Sequence, residues 1–245
     1  MMNKRYAVIS DVHGNNFALE AVLSDISKRK INRIFNLGDS LYGPLNPSIT
    51  ADILMDHNIT HIQGNCDRML YERTGNPSSA ILSVKNKLST AHINWLSLLP
   101  KTLIVDDLLL CHGTPDSDEI YLLEDMSIEG GILKDSASIM GTLQNNVQNV
   151  IVCGHSHIPR VVYLPNDKLV VNPGSVGLPA YLDELPIPHK MVSGSPHAKY
   201  TILEKMDNEW LVEQISVPYD WTSAANLALQ NNRQDWFRAL TSGML

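Results

Sequence analysis

The sequence predicts an α/β protein whose first half alternates strands with helices and whose second half is rich in antiparallel strands. Three observations carry that reading. Up to about residue 100, short apolar runs alternate with stretches of helical periodicity, the pattern of βαβ units around a parallel sheet. Beyond it, apolar runs follow one another closely across Asp- and Asn-containing turns, which reads as hairpins. Finally, the residue after a strand is repeatedly Asp, Asn or His, and ligands of parallel α/β sheets gather at the carboxyl ends of strands.

Taken in order, YAVIS (6–10) is a buried strand, and residues 15–30 place Phe17, Leu19, Val22, Leu23 and Ile26 on one helical face. RIFNLG (33–38) is a second strand, SITADILMDHN a helix after a Gly-Pro turn, and ITHIQG (59–64) a third strand. Residues 84–99 read as one helix stopped by Pro100. TLIVDDLLLCHG (102–113) is a hairpin turning at Asp106-Asp107. VIVCG (150–154), RVVYL (160–164), KLVVN (168–172), KYTILEK (199–205) and EWLVEQIS (209–216) are further strands, the last two joined at Asp207-Asn208. Residues 115–145 read as an insertion with helical parts, 183–198 as a long surface loop, and 221–245 as a helical tail. With no internal repeat and no long linker, the 245 residues are expected to form one domain.

Composition narrows the function. A net charge of −7 and a pI near 5.7 offer no basic face for a nucleic-acid polymer. Three cysteines (Cys66, Cys111, Cys153) fit neither a disulfide framework nor a CxxC zinc motif, and suggest a reducing compartment. The N-terminal MMNKRYAVISD lacks the apolar stretch of about 7–15 residues that a signal peptide needs. No apolar run reaches the ~18 residues of a membrane span. The expectation is a cytoplasmic protein with no membrane partner.

The strand ends carry the chemistry. YAVIS is followed by Asp11-Val12-His13, RIFNLG by Asp39, ITHIQG by Asn65, DLLLC by His112, and VIVCG by His155-Ser156-His157. Singly, each has an ordinary explanation: Asp11 a helix cap, Asp39 a turn residue, His112 a satisfied histidine. Jointly, four of the nine histidines, two aspartates and an asparagine would converge on one edge. Imidazole, carboxylate and amide oxygen suit borderline divalent ions such as Mn, Fe, Zn, Co or Ni better than Ca or Mg. Seven donors exceed one tetrahedral site and suit two ions, the arrangement that clamps both oxygens of an in-line phosphoryl displacement. The residues themselves therefore point to a binuclear metal hydrolase.

The ordered set Asp11-x-His13, Gly38-Asp39, Gly64-Asn65, His112 and Gly154-His155-Ser156-His157, extended by Asn172-Pro173-Gly174-Ser175, resembles the calcineurin-like metallophosphoesterase superfamily. The Gly64-Asn65-Cys66-Asp67 version is similar to a small bacterial and archaeal phosphodiesterase-like branch. The resemblance implies a four-layer fold, two mixed sheets face to face with helices outside. It implies that Asp11, His13, Asp39 and His157 hold a first metal, with Asp39 bridging, and that Asn65, His112 and His155 complete a second. A metal-bridging hydroxide would attack phosphorus, with Asp39, Asn65 and His112 central to catalysis. The backbone of Asn172–Ser175 would wall the site, or serve as a simple turn.

Two departures qualify the resemblance. Many relatives carry a histidine after the asparagine, which binds phosphate and protonates the leaving group; here Cys66 stands there. A thiol brings no positive charge and is a weak acid toward an alkoxide. The arginine that follows Gly-Asp in protein serine/threonine phosphatases is replaced by Ser40-Leu41-Tyr42-Gly43-Pro44. Asn65, Cys66 and Arg68 are the expected substrate contacts, Arg68 being the basic residue nearest the motif. The resulting expectation is a two-metal phosphoesterase acting on a small phosphodiester, phosphoanhydride or activated monoester, nucleotides included. The alternatives are a protein phosphatase, or a non-catalytic scaffold of the same fold. His57, His61 and His92 read as structural; His189 and His197 stand in the Pro-rich loop.

Overall fold

The computed structural model describes residues 4–72, 75–207 and 209–245. Asn208 of the expected Asp207-Asn208 turn, and the first three residues, lie outside these. The chain runs β1 (Lys4–Ile9), α1 (Asn16–Lys28), β2 (Ile34–Asn36), α2 (Pro47–Asp56), β3 (Ile59–His61), α3 (Asn65–Tyr71), α4 (Ser79–Lys85) and α5 (Thr90–Leu98). It continues through β4 (Thr102–Val105), β5 (Leu108–Cys111), β6 (Glu124–Ser127), β7 (Gly130–Leu133), α6 (Ser136–Thr142), β8 (Val150–Val152), β9 (Arg160–Leu164) and β10 (Lys168–Asn172). Last come β11 (Ala180–Asp183), β12 (His189–Val192), β13 (Ala198–Met206), β14 (Glu209–Val217), α7 (Trp221–Gln230) and α8 (Gln234–Ser242).

The strands build two mixed five-stranded sheets. The first has order β14-β13-β1-β2-β3, with β1, β2 and β3 parallel and β13 antiparallel to β1. The second has order β4-β5-β8-β10-β9, with β5, β8 and β10 parallel between antiparallel edges. Side chains alternate across a strand, so each strand feeds two layers. Tyr6 and Val8 of β1 face inward with Phe35, Leu108, Leu110, Val150, Val152 and Val171, forming the core between the sheets. Ala7 and Ile9 face outward onto Leu19, Val22 and Ile26 of α1. On the far side Leu109, Cys111, Ile151 and Cys153 meet Ile139 and Leu143 beside α6. The four-layer α/β fold with two mixed sheets is what the resemblance implied. Burial on both faces explains why these strands read as continuous apolar runs.

Two local expectations are corrected and a third is extended. Residues 84–99 form two helices rather than one, because Ser89 breaks the run and caps α5 by accepting from the His92 amide. Part of the surface loop expected at 183–198 is strand, since β12 pairs with β11 and turns His189 and Met191 inward. Residues 115–145 contain the β6–β7 hairpin as well as the helix α6.

Candidate functional site

Five strand-following loops bring the seven predicted residues together at the carboxyl edge of both sheets. Backbone hydrogen bonds tie the loops laterally: Asp11 N donates to Gly38 O, His13 N to Asp39 O, and Gly154 N to His112 O. Asp11, His13, Asp39, His155 and His157 all have φ between 52° and 67°. Left-handed backbone is uncommon outside glycine and costs about 1 kcal/mol or more per residue, and such strain gathers at functional sites. The sharp reversals turn the side chains of three of these loops, those after β1, β2 and β8, onto one point.

Two clusters result, one of Asp11, His13 and His157 and one of Asp39, His112 and His155, the potential ligand atoms in each lying within 4.8 Å of one another. His13 Nε2 and His157 Nε2 are 3.1 Å apart, and His157 Nε2 is 3.3 Å from Asp11 Oδ1. Asp39 stands between the clusters. Its Oδ2 is 3.8 Å from His13 Nε2 and its Oδ1 is 3.4 Å from His112 Nε2. Asn65, the first residue of α3, brings Oδ1 to 3.1 Å from His112 Nε2.

Each of the four imidazoles is oriented by a backbone carbonyl: His13 Nδ1 by Tyr42 O at 2.8 Å, His112 Nδ1 by Leu37 O at 2.8 Å, His157 Nδ1 by Leu178 O at 2.6 Å, and His155 Nε2 by Glu119 O at 3.1 Å. A carbonyl only accepts, so the tethered nitrogen carries the proton and the opposite nitrogen is free to bind an ion. Asp11 Oδ1 is buried and accepts no hydrogen bond, an orphan that an ion would satisfy. The donor set, its tautomers and this orphan oxygen fit divalent metal.

The electrostatics agree. Burial would raise the Asp11 and Asp39 carboxyls, but the surrounding imidazoles outweigh it and hold both below the ordinary range. Burial, reinforced by the neighbouring His157 and His112 respectively, lowers His13 and brings His155 to about 4. For His112 burial opposes, yet the Asp39 carboxylate prevails and lifts it to about 10.

A cavity of about 300 Å³ opens over the clusters. His13, Asp39, Asn65, Cys66, His155 and His157 line its floor, while Tyr42, Met69, Tyr181, Arg233 and Trp236 are among its walls. Arg68, the expected phosphate contact, is not among the lining residues. Its guanidinium is held by Asp118 at 2.7 Å, Glu119 at 2.7 Å and Glu72 at 3.1 Å. Arg68 thereby fixes the loop whose Glu119 carbonyl orients His155. The guanidinium at the cavity is Arg233, between α7 and α8, which sequence reasoning missed because nothing in the tail marks its approach. Trp236 is buried and also packs its ring near-perpendicular to His13 with centroids 6.0 Å apart.

Asn172–Ser175 buttresses the site from behind rather than lining it. Asn172 Nδ2 donates to Gly154 O at 2.7 Å, and Ser175 Oγ to Asp11 O at 2.8 Å. His189 belongs to a second layer in which its ring and Tyr181 both reach the Tyr121 hydroxyl, while Tyr121 stacks on His155 with centroids 4.5 Å apart. His197 packs against Trp221 instead.

Comparison with known proteins follows the same line. The chain is 30% identical to the uncharacterised protein MJ0912 of Methanocaldococcus jannaschii, over 96% of each. Its fold is similar to a metallophosphoesterase from Sphaerobacter thermophilus, with a TM-score of 0.76 at 23% identity over 98% of both chains. It also resembles the hypothetical protein PH1004 from Pyrococcus horikoshii OT3, with a TM-score of 0.73 at 19% identity over 98% of both. The calcineurin-like phosphoesterase superfamily domain matches residues 5–187, most of the chain. With its paired His/Asp clusters at the strand ends, the protein belongs to the calcineurin-like phosphoesterase superfamily.

Proposed function

We propose that the protein is a two-metal phosphoester hydrolase acting on a small phosphodiester, phosphoanhydride or activated phosphomonoester. The single observation that carries this is Asp39 between two buried His/Asp clusters, one carboxylate oxygen facing each. Asp11, His13 and His157 would hold one ion, Asn65, His112 and His155 the other, and Asp39 would bridge them. When bound, a pair of divalent ions supplies an activated water and Lewis-acid stabilisation of phosphoryl oxygens. Mn, Fe, Zn and Ni all suit these donors.

The chain's own residues position everything else. The backbone carbonyls that tether the imidazoles fix their tautomers, so no reorganisation is needed as charge develops. Asn65 contributes an uncharged oxygen, which adds no repulsion toward an anionic phosphate. The cavity admits a small ester, and its apolar wall at Leu178, Ala180 and Trp236 suits an aryl or similarly apolar group. Cys66 stands where many relatives keep an acid, so good leaving groups should be preferred.

The test is hydrolysis of bis(p-nitrophenyl) phosphate by protein reconstituted with Mn, Ni, Zn or Fe. Metal-dependent turnover abolished by Asp39→Ala and by His112→Ala is expected. A reconstituted protein that binds two ions but turns over no member of a phosphoester panel would sink the reading and favour a non-catalytic scaffold. Preference for a phosphopeptide over the diester would favour a protein phosphatase.

A further inference from the structure

Beside the cavity over the clusters lies a second hollow, of about 390 Å³, and Tyr42 and Arg233 line both. One side is the face of α4 that carries Ser79 and Ser83; the other is the α7–α8 turn, with Gln230 and Asn232. The turn is anchored across the hollow's edge, since Asn231 Nδ2 donates to Pro44 O at 2.7 Å.

The two spaces differ in chemistry. Asp39, Asp183 and Asp235 line the first, whereas no carboxylate is among the described residues lining the second. The second offers amides and hydroxyls, and among the described residues lining it Arg233, whose guanidinium stands at the wall shared with the first, is the charged one. Arg233 lies over the Trp236 ring, 5.5 Å from its centroid, and shares two hydrogen bonds with Asp235. That pair is partly exposed, with 32% and 47% of the two side chains accessible, so water screens it and an incoming dianion can compete with the carboxylate. A guanidinium presents a rigid fork to phosphate oxygens. Apart from Tyr42 in the shared wall, no aromatic ring is among the described residues lining the hollow, so it provides hydrogen bonds for hydroxyls rather than a stack for a base.

We propose that this hollow is a subsite for a sugar phosphate that forms the leaving-group end of the substrate, with Arg233 gripping its phosphate and the α4 serines and turn amides meeting its hydroxyls. This rests on the reading of the adjoining clusters as a phosphoester-hydrolysing centre. The reacting phosphoryl group would sit over Asp39, and the chain of the substrate would pass between Tyr42 and Arg233.

The experiment is calorimetric titration of metal-loaded protein with ribose 5-phosphate, paired with kinetics on ADP-ribose and bis(p-nitrophenyl) phosphate. Ser83→Trp fills the hollow from an exposed helical position, and Arg233→Gln removes its charge. Saturable binding of ribose 5-phosphate, weakened about tenfold or more by each substitution and partly restored by Arg233→Lys, is the expected result. In the kinetics, KM for ADP-ribose should rise about tenfold more than KM for the aryl diester. Ribose 5-phosphate that fails to bind, or binds equally to wild type, Ser83→Trp and Arg233→Gln, overturns the subsite while leaving the hydrolase reading intact. Absence of turnover on both the phosphoanhydride and the aryl diester overturns the hydrolase reading, and the titration still decides the subsite by itself.

Discussion

The backbone amide of Cys66 donates to Asp39 Oδ1 at 2.8 Å, so at this position the peptide, not the thiol, addresses the central carboxylate. The thiol is half-buried on the cavity floor, and partial desolvation together with the Asp39 charge pushes it well above its ordinary value. Cys66→Ala should therefore retain two bound ions and change turnover of an aryl diester by less than about threefold, while metal-free protein should resist iodoacetamide at pH 8 until unfolded. Rapid alkylation of the folded chain would contradict the raised thiol pKa. Cys66→His is expected to raise turnover of alkyl phosphoesters selectively, because imidazole supplies the acid and the charge that the thiol lacks.

Removing a carboxylate should be read in metal as well as in rate. Asp39 faces both clusters, so Asp39→Asn should lower the bound metal from two ions to one or none per chain. Asp11→Asn should release one ion selectively. Elemental analysis after gel filtration checks both. Retention of two ions by Asp39→Asn would remove the case for a bridge.

Gly64 is required by contact rather than by dihedral angle. A Cβ at Gly64 would meet Asp39 Oδ1 at 2.1 Å and Asp39 N at 2.6 Å. Gly64→Ala is expected to displace Asp39, lose metal and destabilise the fold by about 1–3 kcal/mol, the usual range for overpacking. Gly75→Ala, where a Cβ meets nothing within 4 Å, is the control and should leave the melting temperature unchanged.

His61 gives a pH test at a residue outside the two His/Asp clusters. Burial against Trp95 lowers its pKa to about 4, from an ordinary value near 6.5. A folded-state value below the unfolded one means that the unfolded chain binds the proton first. Its contribution is thus present above about pH 6.5 and lost as pH falls toward 4, a few kcal/mol at most. His61→Gln should flatten that acid limb in urea denaturation measured between pH 7 and 4. An acid limb identical in both proteins would assign the loss elsewhere.

Much of the site was legible because its signal is local. A parallel strand ends at the same sheet edge as its neighbours, so a residue type placed just after each strand is enough to predict convergence, as with Asp11, Asp39, Asn65, His112 and His155. The helix α3 escaped notice because its start is marked by Asp67. That side chain reaches back to accept from Gly64 N at 3.1 Å and from Ser40 N at 2.8 Å, a pairing with Ser40 that no local pattern reveals. The strand β12 was hidden by the prolines around it, and its register comes only from β11.

The amino-acid sequence by itself determined the order of strands and helices and the gathering of metal-ligating residue types at one sheet edge, since apolar runs and ligand-type residues at strand ends are properties of short segments. Tertiary structure decided which cation meets the cavity. Arg68, only two positions beyond Cys66, is drawn to Asp118, Glu119 and Glu72, while Arg233 is carried to the cavity rim by the packing of α7 and α8 on Leu45, Leu178 and Ala180. A long side chain goes where its counter-charges and packing lead it, and those partners lie up to 51 residues away for Arg68.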